Sequence, residues 1–157
     1  MEVNSKYAGA EMMIRKPVAE VFNAFIDPHI TTKFWFTRSS GRLEEGAMVE
    51  WHWEMYGISV PVIVKTILRN SMILVEWGTG SHTSTIEWIF NPLTEDKTYL
   101  SIKNYGFNSA GDDLINEIRD STEGFSLVIA ACKAYLEHGV QLNLAADKNP
   151  PELNRNA

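Results

Sequence analysis

The side chains with the most obvious chemistry are four histidines, one cysteine and a short alternation of acids around a histidine. Glu50, His52 and Glu54 share one face if residues 48–56 form a strand, and zinc sites do combine histidine with carboxylates. The same alternation sends Val49, Trp51, Trp53 and Met55 to the other face. Antiparallel sheets commonly keep one face wet, so the charged trio reads more simply as that wet face. No H-x-H or H-E-x-x-H pattern accompanies it. His29 and His82 stand near turns that could flank a cavity mouth, and an imidazole near neutrality suits general-base work. Neither has a nucleophile or an orienting acid beside it in sequence, so surface loop positions are the plainer expectation. Serine, histidine and aspartate occur without a nucleophile elbow. The loop from Gly78 to Ser81 lacks the spacing and lysine of a phosphate-binding loop. Cys132 falls on an apolar stripe and reads as a small buried hydrophobe; as the one cysteine it rules out an internal disulfide. No metal site and no cofactor are expected, and no catalytic residue can be assigned.

Five tryptophans, five tyrosines and seven phenylalanines point instead to shape. Trp51, Trp53, Trp88, Phe90 and Phe125 lie on apolar faces. They either fill a core, as interior packing density requires, or line a cavity. The small residues Ala130, Ala131 and Ala134 opposite them fill volume poorly, which favours a void. Buried indole N–H groups need partners, and Asn104 is a polar candidate in the same interior. The candidate ligand-binding set is Trp35, Trp51, Trp53, Trp88, Phe90, Asn104, Phe125 and Ile129.

These residues must be held by elements that periodicity reveals. Ile115, Ile118, Thr122, Phe125, Ile129, Cys132 and Leu136 follow at steps of three and four, which predicts one long helix from about Asp112 to Leu144. Asp112 or Asp113 suits its N-cap. Before it, residues 7–15 read as a strand ended by Lys16-Pro17. Val18 to Ile26 forms a short amphipathic helix after Pro17, broken at Asp27-Pro28. His29 to Trp35 forms a second. Five strands follow: 48–56, 58–68, 72–77, 83–90 and 98–107. Pro61 inside the second of these implies an edge position or a bulge. A strand, two short helices, a run of strands and a long helix indicate an α+β fold, an antiparallel sheet curled around the helical stripe. Residues 1–146 are expected to form a single domain, with 147–157 a flexible tail.

This order resembles a known family, the START-like or Bet v 1-like (SRPBCC) superfamily of helix-grip proteins, in the branch related to the Hsp90 ATPase activator. Three stretches carry the likeness. Ile14-Arg-Lys-Pro-Val-Ala-Glu-Val-Phe-Asn-Ala-Phe is similar to the family's first strand and its P-x-x-V-F-x-A helix. Trp35 follows the Asp27-Pro28 step, as in relatives. Gly124-Phe125 opens a segment running to Tyr135-Leu136-Glu137-His138-Gly139, where relatives carry Gly-Trp and Leu-Lys-x-Tyr-Leu. Phe125 in place of tryptophan is a departure, as is Arg69-Asn70-Ser71 where relatives have an Asp-Pro-Pro step. The resemblance implies a curved sheet gripping a C-terminal helix, with a cavity between sheet, helix and short helices.

With 157 residues the chain is one domain in length, and its net charge of −6 argues against a nucleic-acid partner. The start, Met1 to Lys6, is polar and unlike a signal peptide, and no apolar run approaches a membrane span. A cytoplasmic protein without membrane insertion is expected, with exposed strand edges that could pair in a homodimer. Three functions are consistent with this reading. The first is binding of a small hydrophobic ligand, lipid-like or polyketide-like, in the internal cavity. The second is a cyclase-, aromatase- or hydrolase-type enzyme acting on a hydrophobic substrate in that cavity. The third is a chaperone (Hsp90) co-regulator, although the relative that does this uses an additional N-terminal domain that this stretch is expected to lack.

Overall fold

Period-two alternation becomes a meander of strands. The computed structural model describes residues 6–153. Most of the expected polar start and residues 154–157 of the expected tail lie outside that range. Strand β1 (Ala8–Ile14) leads into α1 (Val18–Ile26) and α2 (Pro28–Thr31), followed by β2 (Arg38–Ser39), β3 (Met48–Trp53), β4 (Ile58–Leu68), β5 (Met72–Trp77), β6 (Ser84–Thr94) and β7 (Lys97–Tyr105). Helix α3 (Gly111–His138) and the short α4 (Leu144–Lys148) complete the chain, with 3₁₀ turns at Glu54–Tyr56, Gly80–His82 and Pro151–Leu153. Among the described residues, seven strands form one antiparallel sheet in the order β1-β7-β6-β5-β4-β3-β2. This is an α+β helix-grip architecture, as the element order implies.

The two edges, β1 and β2, are joined through α1 and α2, which cross the inner face. Helix α1 lands on β6 by its aromatic stripe: Phe22 meets Phe90 at 5.3 Å and Phe25 meets Trp88 at 5.8 Å between centroids. Asp27 ends α1 and caps α2, its carboxylate accepting from the His29 N–H at 2.9 Å, with Pro28 in the first turn where its missing N–H costs nothing. The core comes from one phase of each strand: Val49 and Trp51, Val62 and Val64, Ile73 and Val75, Ile86, Trp88 and Phe90, Leu100 and Ile102.

Several expectations need correction. Strand β3 stops at Trp53, so Met55 sits in a 3₁₀ turn and is exposed. Pro61 is neither at an edge nor in a bulge. Strand β4 lies between β3 and β5, and the register shift falls at Val64/Thr66. Its carbonyl accepts from Gly78 N–H, one residue past the last β4–β5 pair, Val62 with Trp77. N–H and C=O of one strand residue point the same way, so the missing donor faces the place where β5 has already ended. Helix α3 ends at His138, short of Leu144. Gly139 takes φ +67°, a left-handed conformation that glycine permits, and its N–H and that of Val140 close on the carbonyls of Tyr135 and Ala134. At the other end Ala110, not an aspartate, is the N-cap, while Asp112 and Asp113 occupy the first turn and oppose the helix dipole there. Ile115, placed by spacing on the apolar stripe, is 54% exposed.

Candidate ligand cavity

The exposure of Ile115 marks a division of α3. Every fully buried residue of the helix lies from Phe125 onward: Phe125, Val128, Ile129, Ala131 and Cys132. That half is fastened to β1. Lys133 Nζ donates to the Met13 carbonyl at 2.9 Å and to Glu137, and Glu137 also accepts the Arg15 backbone N–H at 2.8 Å. Burial alone would raise the Glu137 pKa. The Arg15 N–H and the Lys133 ammonium outweigh it and hold the carboxyl below its ordinary value. Burial pushes the Cys132 thiol far up, which makes it a packing group, not a nucleophile.

Toward its N-terminus the helix stands off the sheet, and a cavity of about 570 Å³ opens beneath it. That is within the range of about 300–1,000 Å³ usual for small-molecule sites. Trp35, Trp53, Trp77 and Phe125 wall it, with Val128 and Phe107. Trp35 is the hub, with ring centroids 6.3 Å from Trp53, 6.2 Å from Trp77 and 5.7 Å from Phe125. Gly78 shapes one lip: at φ +109° a Cβ would collide with the His82 carbonyl. Leu144, Ala145 and Lys148 of α4 border the opening. Helix α4 is tied down by Tyr56, whose hydroxyl donates to the Ala145 carbonyl at 2.7 Å, and by Lys148 with Glu123 at 3.1 Å. The first residues of the expected tail thus belong to a helix over the cavity.

Three polar residues of the lining, Ser84, Asn104 and Ser121, are bonded to each other and to Trp77. Asn104, 2% exposed, donates from Nδ2 to Ser84 Oγ at 2.9 Å and to the Thr85 carbonyl at 2.8 Å; its Oδ1 accepts from Ser121 Oγ at 2.8 Å. Trp77 Nε1 donates to Ser84 Oγ at 3.1 Å. Ionisable residues on the lining are His82, Glu117, Asp120 and Lys148; of these His82, Asp120 and Lys148 are exposed.

Of the residues expected from sequence, Trp35, Trp53, Asn104 and Phe125 meet at this cavity. Trp51, Trp88, Phe90 and Ile129 do not reach it. Trp51 stacks on Phe36 at 4.7 Å, and Trp88 is fully buried beside Phe25 and Trp35. The Trp88 indole N–H has no hydrogen-bond partner among the described residues. His29 is exposed and away from the lining. Glu50 and His52 pair with each other at 3.3 Å, Glu54 pairs with Arg38 at 3.4 Å, and no cluster suited to a metal occurs among the described residues. Sequence reasoning missed Trp77, Ser84 and Ser121. The signal was present. Trp77 is in phase with buried Ile73 and Val75, Ser84 with Ile86, Trp88 and Phe90, and Ser121 lies one turn before Phe125.

The family model described as "Activator of Hsp90 ATPase homolog 1-like protein" matches residues 15–137. Among solved structures, protein SSP2350 from Staphylococcus saprophyticus is 27% identical, with a TM-score of 0.75 over 87% of this chain and 95% of its own. DynU16, from the dynemicin biosynthetic locus, is 18% identical with a TM-score of 0.76, over 88% of this chain and 49% of its own. The Aha1 dimer from Colwellia psychrerythraea is 14% identical with a TM-score of 0.71, over 85% of this chain and 97% of its own. At such identities the last two speak for the fold. No curated protein sequence matches. Among the described residues no helix is long and apolar enough to cross a membrane.

Proposed function

The chain belongs to the Activator of Hsp90 ATPase homolog 1-like family, and from that premise we propose that it binds one small hydrophobic molecule between the sheet and the N-terminal half of α3. The observation that carries this is the combination of a cavity of about 570 Å³ with aromatic walls and a small, internally bonded polar cluster. Apolar area removed from water is worth roughly 25 cal/mol per Å², so flat or lipid-like molecules gain most from such walls. The structural likeness to DynU16, a protein of a biosynthetic locus, is compatible with a polycyclic, polyketide-like ligand.

The test is native mass spectrometry of the purified protein, followed by calorimetric titration with a panel of fatty acids, sterols and polycyclic aromatics. One molecule bound per chain, displaced when Gly124 is replaced by Leu, is the expected result. No binding across the panel, with no co-purified molecule, overturns the reading.

A second reading, an enzyme on a hydrophobic substrate, is favoured by His82, Glu117 and Asp120 on the same lining. It expects turnover of a bound ligand that His82→Gln slows at least tenfold with affinity unchanged. Bound ligand recovered unaltered after prolonged incubation counts against it.

A further inference from the structure

The polar cluster beneath α3 has a determined proton order. The atom of Thr85 that lies 2.8 Å from Asn104 Nδ2 is its backbone carbonyl, which can only accept, so the amide can sit only one way round. The second Nδ2 proton then meets Ser84 Oγ at 2.9 Å, and Oδ1 takes the Ser121 proton at 2.8 Å. An indole nitrogen can only donate, so Trp77 Nε1 also gives its proton to Ser84 Oγ, at 3.1 Å. A hydroxyl oxygen has two lone pairs and one proton. Both lone pairs of Ser84 are filled, and its own proton is left in the one remaining tetrahedral direction. No acceptor for it occurs among the described residues, and Ser84 borders the cavity. Asn104 and the Trp77 N–H are thus satisfied by their neighbours, and Ser121 has given its proton to Asn104.

We propose that Ser84 is the orienting donor of the cavity, and that the ligand class is an apolar molecule carrying a hydrogen-bond acceptor, such as a ketone, quinone or ester carbonyl, seated with that oxygen at the first residue of β6. This rests on the cavity being a ligand site. The reason for selectivity is asymmetry. A ligand with an acceptor completes the fourth direction of Ser84. A ligand of the same shape without one takes the hydroxyl out of water and leaves its proton unpaired. Position favours the role, since the cluster is held by three strands and a helix and is pre-organised.

The test uses 9-fluorenone and fluorene, which share a shape and differ by one carbonyl oxygen. Affinities are measured by quenching of tryptophan fluorescence on the full chain, and the bound ketone is examined by infrared spectroscopy. The expected ratio of fluorenone to fluorene affinity is about three- to tenfold higher in the wild type than in Ser84→Ala. Ser84→Thr, which keeps the hydroxyl, restores it. The carbonyl stretch of bound fluorenone moves to lower frequency in wild type and returns in Ser84→Ala. Should Ser84→Ala fail to fold, the wild-type ratio and the infrared shift decide alone. If both molecules bind, but fluorene binds as tightly as the ketone and the carbonyl frequency stays at its value in hydrocarbon solvent, the role of Ser84 is refuted and the cavity remains a ligand site. If neither molecule binds, the role of Ser84 and the reading of the cavity on which it rests both fall.

Discussion

The two halves of α3 are made from similar residues and do opposite work. From Phe125 to His138 the helix lies on the sheet, buries Ile129, Ala131 and Cys132, and is clasped to β1 by Lys133 and Glu137. From Gly111 to Gly124 no residue is fully buried, and Ser121 and Gly124 look into a cavity. One straight helix of 28 residues is about 42 Å long, and a curled sheet cannot follow it over that whole length. Where it follows, the protein has a core. Where it does not, it has a cavity. Stability should therefore be concentrated in one half and binding in the other.

The largest expected effect is in the packed half. Ile129→Ala should lower unfolding free energy by about 3 kcal/mol in urea denaturation, as for other buried Ile truncations. A loss below about 1 kcal/mol would mean that this half is not the stabilising one. Next comes the clasp. Glu137→Gln should cost about 1.5–3 kcal/mol at neutral pH, the range for hydrogen bonds to a charged group. Its pKa is depressed in the fold, so its contribution is complete above the ordinary glutamate pKa of about 4.3 and fades as pH falls through the folded value. Wild type and Glu137→Gln should therefore converge in stability as pH falls through the folded value, and a gap that persists in acid would sink the electrostatic account.

In the open half the sign reverses. A Cβ on Gly124 meets nothing within 4 Å, so Gly124→Ala should raise stability by about 0.5–1 kcal/mol through helix propensity alone, measured by thermal or urea unfolding. A loss instead would mean that a methyl group at this position meets a neighbour. The smallest effect belongs to α4. Tyr56→Phe removes its hydrogen bond to Ala145 and should cost about 0.5–1.5 kcal/mol or less. It should speed ligand entry and exit together in stopped-flow fluorescence, leaving affinity nearly unchanged.

Much of the fold was legible because strands bury one phase and helices one stripe. Val49 and Trp51, Ile86 and Trp88, and Leu100 and Ile102 announce the inner face by alternation, and Asp27-Pro28 announces the break between the short helices. Phe125 marks the boundary between the halves of α3, but its spacing is the same on both sides of that boundary. Ile115 and Ile129 are indistinguishable by period, yet one is 54% exposed and the other 1%. Trp51 and Trp53 likewise share a phase, but Trp51 is stacked under Phe36 while Trp53 reaches the cavity.

The sequence by itself determined the inward phase of the main strands, the order of the main elements and the family, because these depend on local period and short motifs. Tertiary structure alone decided where the interior closes and where it stays open. That depends on the curvature of the sheet against a straight helix, which no window of sequence contains. It also decided how the polar side chains beneath α3 pair with one another. Asn104, Trp77, Ser84 and Ser121 come from three strands and a helix, and only once they are brought together does the count of protons and lone pairs leave one donor, on Ser84, without a partner.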